Sequence, residues 1–328
     1  MIDPNLPLID LHRHLDGSIR LETVLDLGRE HNLPLPSFEL EGLRPHVQIT
    51  ERQPGVMAFI AKFEWLVGVL VDYDAVRRVS YENVLDAQKE GIDYVELRFS
   101  PWFMAEPHRL DPAGVVEAVV EGVEEACKVS PTKVNLIGII SRTYGVDAGM
   151  LELAALLTQQ DKLTALDLAG DEANFPAEWF EPHFKKGRDA GWGITVHAGE
   201  AAGAESVWQA IKTLGATRIG HAARIGEDPA LVEYMLEHQI GIEANLTSNF
   251  QTSTVDSLAE HPLKGWLDAG LLATINSDDP GISGIDLPHE FNVAAPEAGL
   301  TKEDTRKAQE NALAIAFLSE EEREGLRN

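Results

Sequence analysis

Eight short apolar runs, most of them followed by a helix-like stretch, limit what this chain can fold into more than any other feature. They occupy residues 8–11, 94–99, 134–140, 164–168, 194–198, 218–220, 240–246 and 273–276. Runs of this length bounded by turn residues are the pattern of buried strands. The stretches between them carry readable helix starts. Asp111-Pro112 and Asp228-Pro229 each set a capping side chain ahead of a proline suited to the first helical turn. Val115, Val116, Val119, Val120 and Val123 then fall on one helical stripe. A last helix is predicted from near Thr301, with Asp304 placed as in a capping box, to about Ser319. Strands alternating with helices imply a parallel sheet. Eight such units without a glycine-rich dinucleotide fingerprint favour a closed TIM-like (β/α)8 barrel over an open doubly wound sheet. The spacing breaks once, between the first two strands. That gap is too long for a plain crossover, and it predicts a helical insertion, about residues 15–92, beside the mouth of a single 1–328 barrel domain.

The net charge of −27 narrows the partners. Such a field repels phosphate backbones and anionic membrane surfaces, so neither nucleic acid nor membrane is expected. A neutral or cationic small molecule suits it better, although general acidity also serves solubility. Cys127 is the single cysteine, which rules out an intrachain disulfide. Its place in an apolar-patterned run predicts an inert core thiol. The N-terminal residues lack the pattern of a signal peptide and no apolar segment reaches 18 residues, so a cytoplasmic location is expected.

In a barrel of this kind the active site lies where strands end and βα loops begin. The predicted strand ends carry His12-Arg13-His14-Leu15-Asp16-Gly17, Asp167 to Glu172, His197-Ala198-Gly199-Glu200, Gly220-His221 and Asn276-Ser277-Asp278-Asp279-Pro280. Residues two apart on a strand face the same side, so His12 and His14 present two imidazoles to one point. Alone, such a pair is more often core or surface. His197 adds a third nitrogen and Asp278 an oxygen, and three histidines with a carboxylate suit one catalytic zinc. No lysine stands on strand 4 to bridge a second metal. A zinc-bound water ionises near neutral pH. His221 could orient that water, and Glu200, three residues after His197, could shuttle a proton. Asp279 reads either as a substrate contact or as a helix cap before Pro280.

With these residues assembled, the chain resembles the adenosine deaminase family over nearly its whole length. The strand-end motifs carry the likeness, together with Ser141-Arg142-Thr143 and Leu246-Thr247-Ser248-Asn249. The resemblance implies one Zn2+ per chain on His12, His14, His197 and Asp278. It implies that Glu200 protonates purine N1, that His221 and Asp278 orient the attacking hydroxide, and that ammonia leaves C6. On the substrate side it implies His14, Asp16 at the ribose 5′-hydroxyl, Gly170 at N3 and Asp279 at N7. Phe59, Ile60 and Phe63 resemble the family's apolar lid, and their helical spacing equally fits plain packing. Two departures bear on substrate fit. Ala222-Ala223-Arg224 follows His221 where the family often has glycine, and Arg224 is placed to reach the rim. Relatives acting on free adenine tend to carry glutamate at position 16, so Asp16 favours a nucleoside. The readings are therefore adenosine and deoxyadenosine first, adenine or a 5′-modified adenosine second, and a non-catalytic zinc-binding barrel last.

Overall fold

In the computed structural model, which describes residues 1–327, the eight runs form β1 (Ile9–His14), β2 (Tyr94–Phe99), β3 (Lys133–Ser141), β4 (Ala165–Ala169), β5 (Gly193–Ala198), β6 (Arg218–His221), β7 (Gly241–Ala244) and β8 (Leu272–Ile275). Each pairs in parallel with the next, in chain order. This is the expected TIM-type barrel. β8 meets β1 without a regular ladder. Closure instead runs through Asp278, whose N–H donates to His12 O at 2.8 Å and whose C=O accepts from His14 N at 2.8 Å. The Asn276 Oδ1 accepts from Leu11 N at 2.9 Å, and the Ser277 hydroxyl donates to Asp10. The seam of the barrel is thus made by the loop that ends in Asp278-Asp279.

The local chemistry of the helices matches their sequence signals. Asp111 and Asp228 cap Pro112–Cys127 and Pro229–Glu237 through the N–H groups of Ala113 and Ala230. The valine stripe is buried throughout, and this helix packs on Tyr73–Lys89. Within residues 15–92, Leu21–Glu30, Leu40–Val47, Val56–Ile60 and Glu64–Val67 are further helices, while Tyr73–Lys89 belongs to the ring around the barrel. Among the described residues, no helix is long and apolar enough to cross a membrane.

Three expectations need correction. Cys127 is exposed, because it is the last residue of its helix and lies beyond the end of the buried stripe. The run 240–246 is a strand only to Ala244, and Leu246 already opens the helix Leu246–Gln251. The Thr301–Asp304 capping box forms, but its helix stops at Ile315. Ala316 turns extended, and Phe317 docks under the barrel, donating its N–H to Glu96 at 2.7 Å with its ring 3.8 Å from the Arg218 guanidinium. A tertiary contact ends this helix, and local propensity does not show it.

Glu290 sits behind the β7 end, 1% exposed, with Oε2 accepting from Thr247 N at 3.3 Å and Oε1 unpartnered. Burial pushes its carboxyl from 4.5 up to about 8. The native state therefore holds a proton that the unfolded chain has released, and folding stability falls as pH rises through that window. Glu290→Gln is expected to remove up to about 1.4 kcal/mol per pH unit of that slope. Denaturant titrations at several pH values test this, and an unchanged slope would mean Glu290 is ionised in the native state.

Candidate active site

β1 delivers His12 and His14 to the barrel interior, and Arg13 between them points outward to a bidentate pair with Glu90 at 2.8 and 3.0 Å. The period-two alternation of a strand accounts for this sorting. His12 Nε2 lies 3.1 Å from Asp278 Oδ1, His14 Nε2 lies 3.4 Å from the same oxygen, and the Nε2 atoms of His14 and His197 are 3.1 Å apart. His12 and Asp278 are nevertheless unsatisfied at the atoms that face each other. The other ring nitrogens are committed: His12 Nδ1 to Glu243 at 2.7 Å and His197 Nδ1 to Asp167 at 3.0 Å. Those carboxylates fix the tautomers and leave Nε2 lone pairs aimed at one point. Burial holds the imidazoles of His14 and His197 below their usual range, hence neutral. Buried imidazole nitrogens and carboxylate oxygens this close together suit a metal ion: His12, His197, His221 and Asp278 form one such group, and His14 joins Asp278 and Asp279 in a second.

Asp278 reaches this position through a left-handed backbone, φ 60°. That turn lets Asp278 and Asp279 both face the interior, which a continuing strand would forbid. Against its burial, the imidazoles of His12 and His221 hold the Asp278 carboxylate well below the usual range, whereas burial and the Asp278 charge push Asp279 well above it. Gly17 makes room for this pair, since a methyl there would overlap the Asp279 carboxylate.

Beneath the site lies an ion network that sequence reading did not find. Arg98 donates to Asp167 at 2.8 Å, to Glu243 at 2.8 Å and to Leu11 O at 2.7 Å. Arg218 donates to Glu243 at 2.7 Å and to Glu96 at 2.5 Å, and Thr195 donates to Glu243 at 2.7 Å. These five charged residues are at most 1% exposed. Their signal was present as charges in mid-strand, Glu96 and Arg98 two apart on β2 and a lone Glu243 on β7.

Glu200 and His221 stand beside the candidate ligand groups, with Glu200 Oε1 3.6 Å from His221 Nδ1 and His221 Nε2 3.9 Å from Asp278 Oδ2. Asn249 donates to that Nδ1 at 2.9 Å and is itself held by His261 at 3.1 Å. Burial and the charges of Asp278 and Glu172 push the Glu200 carboxyl well above its usual value. Glu200, His221, Asp278 and Asp279 line a cavity of about 60 Å³ roofed by Phe59, Ile60 and Phe63. An adjoining lobe of about 150 Å³ runs past Asp16 and Gly170 to Met57 and Phe103. The lid residues thus line the pocket. Arg224 instead is exposed and pairs with Glu227 at 3.1 Å, lining neither lobe.

Glu243→Gln is expected to weaken metal binding by about 10- to 100-fold through loss of the His12 partner. Chelator competition on the folded variant measures this, and an unchanged affinity would remove Glu243 from the support of the site.

The family model described as adenosine deaminase matches residues 7–328. Adenosine deaminase from Proteus mirabilis (strain HI4320) is 59% identical over 326 residues, covering 99% of this chain and 98% of the relative. That from Vibrio parahaemolyticus is 58% identical over 327 residues, covering 100% and 98%. Among solved structures, adenine deaminase from Arthrobacter aurescens superposes with TM-score 0.91 at 23% identity, over 98% and 97% of the two chains. The Arabidopsis N6-mAMP deaminase superposes with TM-score 0.85 at 26% identity, over 98% and 97%. The structural likenesses report the fold, whereas the full-length sequence matches decide kinship: this chain belongs to the adenosine deaminase family.

Proposed function

We propose that the protein hydrolyses the 6-amino group of adenosine and deoxyadenosine, releasing ammonia with inosine or deoxyinosine, in purine salvage. The observation that carries this is the convergence of His12, His14, His197 and Asp278 beside a small cavity lined by Glu200, with His12 Nε2 and Asp278 Oδ1 left unpartnered. Three imidazole nitrogens and one carboxylate are a donor set for zinc, so His12, His14, His197 and Asp278 hold one Zn2+ per chain. Bound there, the cation supplies acidification of water to near neutrality.

The rest is done by the chain's own side chains. Glu200, kept protonated by burial, donates its proton to purine N1 and draws electron density from C6; of the two protons of the attacking water, one completes the departing ammonia and the other restores Glu200. His221 accepts an amide N–H from Asn249 at Nδ1, which leaves the Nε2 proton to orient the attacking water beside Asp278. Purine N7 is an acceptor, and a protonated Asp279 donates to it. The Gly170 N–H faces N3, and the unpartnered Asp16 Oδ1 accepts from the ribose 5′-hydroxyl while His14 flanks the sugar. Neither lobe is lined by Lys or Arg, so a 5′-phosphate would lie unpaired. That favours a nucleoside over a nucleotide.

Glu200→Gln is expected to keep stoichiometric zinc and lose about 10²- to 10⁴-fold in kcat. In the unaltered protein, turnover should fall as pH rises through the elevated Glu200 value, because the protonated form is the active one. Ammonia release from adenosine, deoxyadenosine, adenine and AMP, with metal analysis of each variant, tests these statements. Near-normal turnover of Glu200→Gln would remove Glu200 from the chemistry. Faster release from adenine than from adenosine would overturn the nucleoside reading.

A further inference from the structure

The C-terminal ends of β4 and β5 are not joined by a ladder. Their pairing covers only Ala165 with Gly193 and Leu166 with Ile194, at the opposite ends of the strands. The chain that leaves β5 carries Glu200, and something other than sheet hydrogen bonding must fix it. Glu172, in the loop after β4, does this. Its Oε1 accepts from Gly199 N at 2.6 Å, and its Oε2 accepts from Glu200 N at 3.1 Å, Ala201 N at 2.7 Å and Ala202 N at 3.0 Å. Four consecutive backbone donors converge on one carboxylate that is 5% exposed.

The turn is built for that convergence. Gly199 has φ 72°, and a Cβ there would stand 2.8 Å from Val207. A left-handed residue in such a turn swings successive N–H groups to one side, making a backbone nest for an anion. Here the anion is a side chain of the protein. Arg142 spans the same gap from its other side, donating to His197 O at 2.7 Å and Leu168 O at 3.2 Å.

The Glu200 carboxyl has no such restraint of its own. Among the described residues it makes no side-chain hydrogen bond, and His221 Nδ1 lies 3.6 Å away, beyond hydrogen-bond range. Its location therefore depends on the backbone from which it projects. We infer that Glu172 is a positioning residue, which sets the place of the Glu200 carboxyl by pinning the N–H groups of residues 199–202. Glu172 lines neither lobe of the cavity and acts only through this loop. The inference rests on the reading of Glu200 as the proton donor.

The test is a double-mutant cycle with kcat, KM and metal content read for each protein. Glu172→Ala should lower kcat about 10- to 100-fold, the effect expected of a catalytic group displaced by an ångström or so. KM and zinc content should stay within about twofold, since neither the ligand set nor the substrate contacts change. Glu172→Gln keeps one amide oxygen for the three donors that Oε2 serves, so it should recover part of the loss, and it remains informative if the alanine variant folds poorly. In a Glu200→Gln background, Glu172→Ala should cost less than about twofold further, because groups acting as one unit are not additive. An equal loss in both backgrounds, an unchanged kcat in Glu172→Ala, or zinc lost in step with activity would each overturn the inference. If Glu200→Gln alone retains near-normal turnover, the proton-donor reading fails first. That outcome is distinct from a silent Glu172 beside an essential Glu200.

Discussion

The pairing of Arg98 with both Asp167 and Glu243 is the interaction on which the remainder of this barrel depends. A buried guanidinium or carboxylate without its partner leaves an uncompensated charge, typically at a cost of about 3–5 kcal/mol. In this interior the partners come from strands on different sides of the barrel, so the network forms only when the barrel is closed. The same two carboxylates hold Nδ1 of His12 and His197. Closing the fold and orienting two imidazoles are therefore one event. The charges point the same way. Glu96, Asp167 and Glu243 face Arg98 and Arg218, leaving an excess of one negative charge in a dry interior, and the Asp278 carboxylate among the imidazoles adds another. A divalent cation bound among these histidines and Asp278 would neutralise that excess.

Above the network the same residue type is driven to opposite states by its surroundings. Asp278 is surrounded by imidazoles and stays ionised, whereas Asp279 and Glu200 face burial and negative neighbours and keep their protons. A pocket that sets an ionised Asp278 beside the carboxylic acids of Asp279 and Glu200 suits a purine, whose ring nitrogens are acceptors. Environment assigns the roles, as it does wherever acids of different task share one site. The apolar roof of Phe59, Ile60 and Phe63 contributes by keeping that environment dry.

The barrel was legible in the sequence because its strands are short, apolar and separated by capped helices, signals that are local. The candidate ligand residues could be singled out because each ends or follows a predicted strand. What escaped was non-local. His12 and Glu243 are 231 positions apart, and Arg98 and Glu243 are 145 apart, so no window of sequence relates them. A charge inside an apolar strand looks like a solvated edge until the partner on another strand is known. The end of the last helix was missed for the same reason, since Phe317 leaves it to dock under Arg218. Cys127 misled in the opposite direction: its run is apolar, but the helix carries it past the end of the buried stripe.

Three of the seven non-glycine residues with positive φ among the described residues stand at the site. His221, Ala222 and Asp278 all adopt positive φ, at 65°, 56° and 60°. For non-glycine residues this conformation costs about 1–2 kcal/mol each. Ala222 is held there by donating its N–H to Ala198 O at 3.1 Å and Gly220 O at 2.9 Å, and its methyl is fully buried. Glycine at this place would remove the strain together with that buried methyl. The turn also lies against Gly199, whose missing Cβ would stand 3.4 Å from the Ala222 Cα. The backbone carrying Glu200 and the backbone carrying His221 are therefore packed back to back. A larger residue at either turn would displace both groups together, which is why two loops from adjacent strands behave as one rigid wall of the pocket.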